Sequence, residues 1–220
     1  MYEARLWLSK RGRIRFVSHL DMFRLMTRAV RRAHIPLWYT EGFNPHPYLS
    51  FLLALSLGVE GEREPIDIRI VDDAFPMENI APSLNAVLPE GLVVEAVTSP
   101  VMKPAVITWG EYEVTYDKAE IPAEDLTRAL ESGALETEKS GKSGGRKIMK
   151  KVGVSEHIRS WSLSETPDRL LLTVVLPAGS VLNLNPQQLT DAVNAYLGTC
   201  AVVLRAVRIR LLDANGAEFR

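Results

Sequence analysis

The chain has 220 residues, of which 46% are hydrophobic and 24% are charged, and its formal net charge is −1. This composition is typical of a globular protein and excludes an extended disordered chain, while the length allows one large domain or two of about 100 residues. The apolar run at residues 52–57 is too short to span a membrane, and the single cysteine, Cys200, excludes an internal disulfide or a cysteine-ligated cluster built by this chain alone. Because the first residues also lack the pattern of a signal peptide, we expect a cytoplasmic protein.

The small net charge hides two basic zones. Residues 1–50 contain nine Lys and Arg against three acidic residues, and residues 139–151 contain six basic residues and no acid, which leaves 11 basic and 24 acidic residues elsewhere. Two such zones on an acidic body indicate a localised surface for an anionic partner such as nucleic acid. The alternative is that they are two unrelated solvated faces.

The N-terminal half alternates between strand-like and helix-like patterns. Apolar residues recur with period two in the predicted strands and at three- or four-residue spacing in the predicted helices. Pro82 lies within the second helical pattern, where it would kink the helix or move its start. The predicted elements are a strand at residues 4–8, a helix at 20–33, strands at 48–57 and 65–71, a helix at 76–87 and a strand at 91–97.

The same order is predicted again after a proline-containing linker at residues 99–104. Asn185 and Pro186 are typical of a helix start, and Gly198 is typical of a helix end. The repeated order β-α-β-β-α-β predicts an α+β fold of two ferredoxin-like sandwiches in tandem, at residues 1–99 and 105–220. The elements of the second half are strands at 109–116, within 158–163, at 169–175 and at 201–211, helices at 123–131 and 185–197, and a flexible basic loop at 139–151.

The first helix carries the strongest functional pattern. Ser18 stands where an N-cap is expected, and the carboxylate of Asp21 suits the positive end of the helix. At 100° per residue the apolar side chains group on one side and the arginines on the other. Guanidinium groups match phosphate oxygens, so this face is a candidate anion site, although a solvated face is the simpler reading. The candidate nucleic-acid contacts in this region are Arg13, Arg15, Arg24, Arg28, Arg31 and Arg32.

The segment GFNPHP at residues 42–47 predicts a stiff, histidine-bearing loop. Gly42 permits a tight bend, and Pro45 and Pro47 restrict the backbone around Asn44 and His46. A loop of this kind either presents polar groups to a partner or forms a structural corner. In the first case a nucleic-acid base would stack on an aromatic ring here, and the candidate contacts are Phe43, Asn44 and His46.

Catalytic and metal sites are less clearly indicated. His19 and His46 are weak candidates for an acid or base, because a histidine beside a helix start more often orients a loop. The GKS at residues 141–143 does not form a phosphate-binding P-loop, since the required glycine is replaced by Glu136. No metal ligand set is recognisable in the sequence. In the basic loop, the candidate phosphate contacts are Lys142, Arg146, Lys147 and Lys150.

Long stretches of the N-terminal third resemble one protein family. They are residues 12–21 (GRIRFVSHLD), residues 28–33 (RAVRRA), Pro36, the GFNPHP segment and residues 56–60 (SLGVE). They resemble the bacterial radical SAM-linked proteins, a domain family of unknown function (DUF2344), and a looser likeness continues through residues 147–159. The predicted repeat also resembles the paired ferredoxin-like architecture of CRISPR repeat-RNA-processing endoribonucleases, which is an analogy of fold only.

The family resemblance implies a partner. Its members are fused to or encoded beside radical SAM proteins, often near ribonuclease and ribosomal-protein genes. This chain has no CxxxCxxC motif, so we expect no cofactor of its own, and the partner would carry the iron–sulfur cluster and S-adenosylmethionine. We therefore expect a non-catalytic, RNA-binding or substrate-presenting accessory protein in tRNA or rRNA modification. A metal-independent RNA endonuclease and a pure protein-docking module are the alternatives.

Overall fold

The computed structural model describes residues 1–143, 146–179 and 182–220, and the side chains of residues 138–150 lie outside what it describes. The chain divides into two compact units. The first contains Met1–Ile107 and Arg208–Arg220, and the second contains Thr108–Val207. The last segment of the chain therefore belongs to the first unit.

The first unit has the predicted β-α-β-β-α-β order. Its elements are β1 (Tyr2–Lys10), α1 (His19–Arg32), β2 (Leu49–Phe51), β3 (Glu60–Ile70), α2 (Ile80–Asn85) and β4 (Leu92–Thr98). β1 pairs antiparallel with β3 and with β4, and β2 pairs antiparallel with β3. The strands and helices enclose one apolar core, to which α1 contributes Met22, Met26, Ala29 and Val30. These four belong to the predicted apolar face of α1, which is thereby confirmed.

The second unit combines a sheet with a separate hairpin. Its elements are β5 (Trp109–Asp117), α3 (Ala123–Glu131), β6 (Glu136–Ser143), β7 (Arg146–Gly153), β8 (Ser160–Glu165), β9 (Arg169–Pro177), α4 (Pro186–Leu197) and β10 (Val203–Leu212). β9 pairs antiparallel with β5 and β8, and β6 pairs antiparallel with β7. The residues of β10 from Arg208 onward belong to the first unit.

The predicted ends of α4 are confirmed. The Asn185 side chain accepts a hydrogen bond from the backbone N–H of Gln188 at 3.0 Å, and the Gln188 side chain accepts one from the Asn185 N–H at 3.1 Å. This reciprocal capping box satisfies two backbone donors that a helix start leaves without partners. At the other end, Gly198 has a φ of 68°, which glycine adopts without steric cost.

The predicted long strand at residues 48–57 is wrong, because β2 contains only Leu49–Phe51. Phe51 pairs with Ile66, so the next residue of β3 that would face the strand is Pro65. Proline has no backbone N–H and cannot continue the ladder. Beyond that point the carbonyl of Leu53 accepts a hydrogen bond from the buried guanidinium of Arg208 at 2.9 Å.

Two further predictions differ from the structure. The helix expected at residues 76–87 is a short 3-10 turn, Met77–Asn79, followed by α2, which places Pro82 in the first turn, where a missing N–H costs little. Residues 139–143 and 146–151 of the basic segment, which was expected to be a flexible loop, belong by their backbone to the paired strands β6 and β7. Ile148 and Val152 are residues that favour strands, and the glycines and serines around them obscured that signal.

The α+β fold class is confirmed. The finer arrangement, two ferredoxin-like sandwiches at residues 1–99 and 105–220, stays a prediction. In the part of the chain that the structure describes, no helix is both long and apolar enough to cross a membrane.

Candidate nucleic-acid interface

The Ser18 and Asp21 side chains start α1. The Ser18 hydroxyl accepts a hydrogen bond from the Asp21 backbone N–H at 3.2 Å and donates one to the Asp21 carboxylate at 2.7 Å. The hydrogen bond that the Ser18 hydroxyl donates to the Asp21 carboxylate holds the pKa of Asp21 below its ordinary value. A hydrogen bond from Arg24 lowers that pKa as well, by less. The string Ser18, His19, Asp21 is thus used to begin a helix, as predicted from the sequence.

Three of the predicted arginines line one groove. Arg24, Arg28 and Arg32 stand at four-residue spacing, so they follow each other along one face of α1 at a rise of about 6 Å per step. The groove has a volume of about 560 Å³ and is completed by Val17, Asp21, Leu25, Ala29, Val87 and Pro89. The sequence did not indicate the last two residues, because they come from the segment that follows α2.

The charges of the groove are poorly compensated. Arg24 forms an ion pair with Asp21 at 3.1 Å, in which both side chains are about 60% exposed. A pair this exposed contributes little and is easily exchanged for another anion. Arg28 and Arg32 are exposed, and the side chain of neither forms an ion pair or hydrogen bond with another residue in the described parts of the chain. The groove therefore holds two guanidinium groups available for an incoming anion.

The other predicted arginines differ from these. Arg15 is paired at 3.2 Å with Glu60, which is buried, and its guanidinium lies 4.8 Å from the Phe16 ring centroid. Its charge is already used inside the fold. Arg31 donates a hydrogen bond from Nε to the Tyr39 hydroxyl at 3.2 Å. Arg13 is exposed and, among the residues described, has no ion-pair partner.

The GFNPHP loop lies beside α1, where the His46 ring contacts Phe23. The backbone N–H of Thr40 donates to the His46 carbonyl at 2.9 Å, and the Tyr39–Pro47 bridge closes the base of the loop. Gly42 has a φ of 130°, a conformation that residues with a side chain rarely adopt. Phe43 is fully exposed at the tip, and Asn44 beside it is exposed as well.

The two histidines considered as an acid or base, His19 and His46, are held by aromatic contacts and by the loop. His46 Nδ1 lies 3.1 Å from both the Thr40 hydroxyl and the Asn44 carbonyl, so this nitrogen serves to fix the loop. The His46 ring centroid is 6.2 Å from that of Phe23, Phe23 is 6.4 Å from Phe51, and Phe51 is 5.2 Å from His19. The row of rings connects the loop to the first turn of α1. This role of Phe23 and Phe51 was not predicted from the sequence.

The predicted contacts in the basic hairpin cannot be placed. Lys142, Arg146, Lys147 and Lys150 belong to β6 and β7 by their backbone, but their side chains lie outside the described part of the structure. The neighbouring Lys151 is described, and it pairs with Glu136 at 3.2 Å. A contribution of the four residues to nucleic-acid binding stays a prediction. Among the described residues, no group of three or more His, Cys, Asp or Glu side chains is arranged to hold a metal ion.

Comparison with known proteins gives one family and one shared fold. The family model described as "Uncharacterized protein conserved in bacteria (DUF2344)" matches residues 3–186. No curated protein matches the chain. A solved structure described as "Crystal Structure of a Cbf5-Nop10-Gar1 Complex" is similar at a TM-score of 0.52 and 11% identity, over 94% of this chain and 48% of the other. At that identity the likeness concerns the fold.

Two other solved structures are more distant. One is described as the archaeal box H/ACA sRNP Nop10-Cbf5 complex, with a TM-score of 0.47 and 12% identity over 93% of this chain and 46% of the other. The second is an H/ACA RNP bound to a substrate RNA containing 2'-deoxyuridine, with a TM-score of 0.46 and 11% identity over 94% and 47%. The chain thus spans about half the length of the solved chains it matches.

Proposed function

The chain belongs to the bacterial family DUF2344, and from that premise and the geometry of its first unit we propose that it is a non-catalytic RNA-binding protein. The groove of Arg24, Arg28 and Arg32 binds the phosphates, and the tip of the GFNPHP loop binds a base. The observation that carries the proposal is the pair of exposed guanidinium groups, Arg28 and Arg32, that have no anionic partner among the described residues of the fold.

The choice of a polyanion follows from the length of the groove. Arg24 and Arg32 are separated by eight residues, which is about 12 Å along the helix axis. One small anion cannot contact both ends of such a row, whereas a chain of phosphates can. Arginine also offers a planar fork of donors that fits phosphate oxygens.

The choice of RNA follows from the loop. Proteins that bind single-stranded RNA combine a basic track with exposed aromatic rings on which unpaired bases stack. Phe43 is fully exposed on a loop whose backbone is fixed by Thr40, His46 and Gly42. Arg31 of α1 donates a hydrogen bond to Tyr39 at the base of the loop. This bond attaches the loop that carries Phe43 to the helix that carries the arginines. Two of the similar structures are described as H/ACA ribonucleoproteins, but at this similarity they add no support.

The tandem ferredoxin-like arrangement is part of the proposal. In the first unit the strand order β4-β1-β3, with β2 on β3, is compatible with one such sandwich. In the second unit the order β10-β5-β9-β8 is compatible with another, with the hairpin of β6 and β7 as an insertion. The basic hairpin would then be an added RNA contact of the second unit.

The partner in the proposal comes from the family resemblance. We expect this protein to present RNA to a radical SAM enzyme in tRNA or rRNA modification in the cytoplasm, with the iron–sulfur cluster and S-adenosylmethionine bound by that enzyme. Co-purification with the neighbouring radical SAM protein, before and after ribonuclease treatment, tests this part. Complete loss of the complex after treatment indicates bridging by RNA, and a complex that forms without RNA-binding activity favours a pure docking module.

The RNA-binding proposal is tested by fluorescence anisotropy with labelled single-stranded RNA at several salt concentrations. For a single strand, each phosphate contact contributes about −0.7 to the slope of log K against log salt. We expect the Arg28→Glu/Arg32→Glu variant to bind more weakly and with a flatter slope. Arg128→Glu is the control for charge reversal outside the groove, because Arg128 is also an exposed helix arginine, at 62%, but lies in the second unit and pairs with Asp125.

The same RNA tests the endonuclease alternative. Cleavage of the labelled strand by the wild-type protein, lost in the His19→Ala/His46→Ala variant, would replace the proposal with an enzyme. We expect the strand to stay intact in both samples, since Nδ1 of His46 is used to fix the loop.

A further inference from the structure

A small cavity shares the first turn of α1 with the arginine groove. His19 and Met22 line the cavity, while the neighbouring Val17 and Asp21 line the groove. The cavity has a volume of about 40 Å³, and most of its walls are apolar, formed chiefly by Leu8, Met22, Phe51, Leu55, Ile66 and Leu92. Its polar side chains are Lys10, His19 and Glu64.

Lys10 is an unusual residue for such a place. Its side chain is only 6% exposed, and burial lowers the pKa of its amino group. Nζ donates to the carbonyl of Val17 at 3.1 Å and, more weakly, to that of Arg15 at 3.4 Å. A protonated lysine has three N–H donors, so one remains for a ligand in the cavity.

Glu64 is not the acceptor of the third N–H of Lys10. Its carboxylate is bound by the guanidinium of Arg208, through Nε at 3.0 Å and through Nη2, and the Arg208 side chain is only 2% exposed. The ion pair is therefore already formed without Lys10. Lys10 lines the cavity, so an acceptor placed there could receive its third N–H, and a buried polar group gains stability from such a partner.

Size and shape limit the ligand. A volume of about 40 Å³ corresponds to roughly three water positions, which occupy about 90 Å³ of liquid. That is close to one six-membered heterocycle and too little for a purine. Phe51 and His19, whose ring centroids are 5.2 Å apart, supply flat walls, and His19 is exposed and therefore lies at the mouth.

We propose that the cavity receives a pyrimidine base of the RNA whose phosphates lie in the arginine groove, with Lys10 Nζ donating a hydrogen bond to a ring carbonyl. This inference rests on the proposed RNA binding and adds a base preference to it. Uracil and cytosine both carry a ring carbonyl, and both are small enough. Both sites are lined by residues at the start of α1, so along the helix axis the base site and the groove lie within about one turn, about 5.4 Å, of each other.

The test compares ten-nucleotide oligouridylate with oligoadenylate of the same length, using the full chain at one salt concentration and then across a salt series. Stacking on Phe43 accepts any base, whereas the cavity accepts pyrimidines only. The wild-type protein should prefer oligouridylate by about tenfold. Lys10→Met should lose that preference and keep the wild-type salt slope. Lys103→Met, a change at an exposed lysine of the same unit, is the control.

A second variant is needed because Lys10→Met leaves two carbonyls without a donor and could therefore impair folding. Leu55→Phe fills the cavity from a half-buried wall position and leaves Lys10 in place. If the folded Leu55→Phe variant still prefers oligouridylate, the base site alone is overturned. The same holds if the wild type shows a normal salt slope but no preference. Absence of salt-dependent binding to either oligonucleotide overturns the RNA-binding proposal itself.

Discussion

Phe43 is an aromatic residue that the fold does not use. It is fully exposed, while Phe23 and Phe51, which belong to the row of rings, are half-buried. We predict that Phe43→Ala leaves the free energy of unfolding within about 0.5 kcal/mol of wild type and weakens RNA binding by about 1–3 kcal/mol. Urea unfolding and anisotropy measure the two quantities. Phe43→Trp is the control, and equal RNA affinity for the alanine and tryptophan variants would contradict base stacking at the loop.

At the level of residues, the sequence predicted which side chains could bind an anion but not which of them are free to do so. Arg15 and Arg28 look alike in the sequence. Arg15 is paired with Glu60, a residue 45 positions away, and such a pairing is set by the fold rather than by local pattern. The same holds for Lys10, whose burial depends on α1 and β3 packing around it.

At the level of elements, Tyr116 connects β5 to α4. Its hydroxyl lies 2.8 Å from the hydroxyl of Thr190, which donates to the carbonyl of Pro186 in the first turn of the helix. Burial raises the pKa of Tyr116 to about 12 from an ordinary value of 10.0. A raised folded-state pKa means that the neutral phenol stabilises the fold fully below pH 10, and that this contribution is lost as the pH rises toward 12.

We therefore predict a pH dependence that Tyr116→Phe removes. Relative to this variant, the wild-type protein should lose about 1 kcal/mol of unfolding free energy near pH 11 compared with pH 8, measured by urea unfolding. The Tyr116→Phe variant lacks this titrating group, so its pH dependence shows the contribution of all other groups. An identical change in both proteins between these pH values would show that Tyr116 ionises freely in the folded state.

The elements that the sequence predicted well are those set by local chemistry. Ser18 and Asn185 are the N-caps of α1 and α4, and each side chain accepts a hydrogen bond from a backbone N–H three positions further along the chain. β2 was predicted too long because its length depends on Pro65, which is distant in sequence and faces its end in β3. Pairing partners of this kind are not visible in a single sequence.

At the level of the whole molecule, Arg5 joins four separate segments of the first unit. Its guanidinium donates to Asp67 at 2.7 and 3.0 Å, to the Met102 carbonyl at 3.0 Å and to the Arg220 carbonyl at 2.8 Å. It also lies 4.6 Å from the ring centroid of Phe219. The structure groups Arg208–Arg220 with the first unit, and contacts of this kind are set by the tertiary fold rather than by local sequence pattern.

We predict that Arg5→Met destabilises the protein by about 3–5 kcal/mol, because it leaves the carboxylate of Asp67 without its buried partner. Arg5→Met/Asp67→Leu should recover part of the loss in urea unfolding. Lys118→Met, which breaks an exposed pair with Glu165, should cost less than about 1 kcal/mol. A loss for Arg5→Met as small as that of the Lys118 control would mean that the network does not hold these segments together.

The central claim, that the groove on α1 binds RNA phosphates, is tested most directly by the salt slope of RNA binding. Wild type, Arg28→Glu/Arg32→Glu and the Arg128→Glu control are titrated with the same single-stranded RNA across a salt series. We expect a steep slope for wild type and control, and a slope lower by about 1.4 in magnitude for the double variant, as two lost phosphate contacts require. Equal slopes for all three proteins, or RNA binding that does not depend on salt concentration, would contradict phosphate binding by the groove.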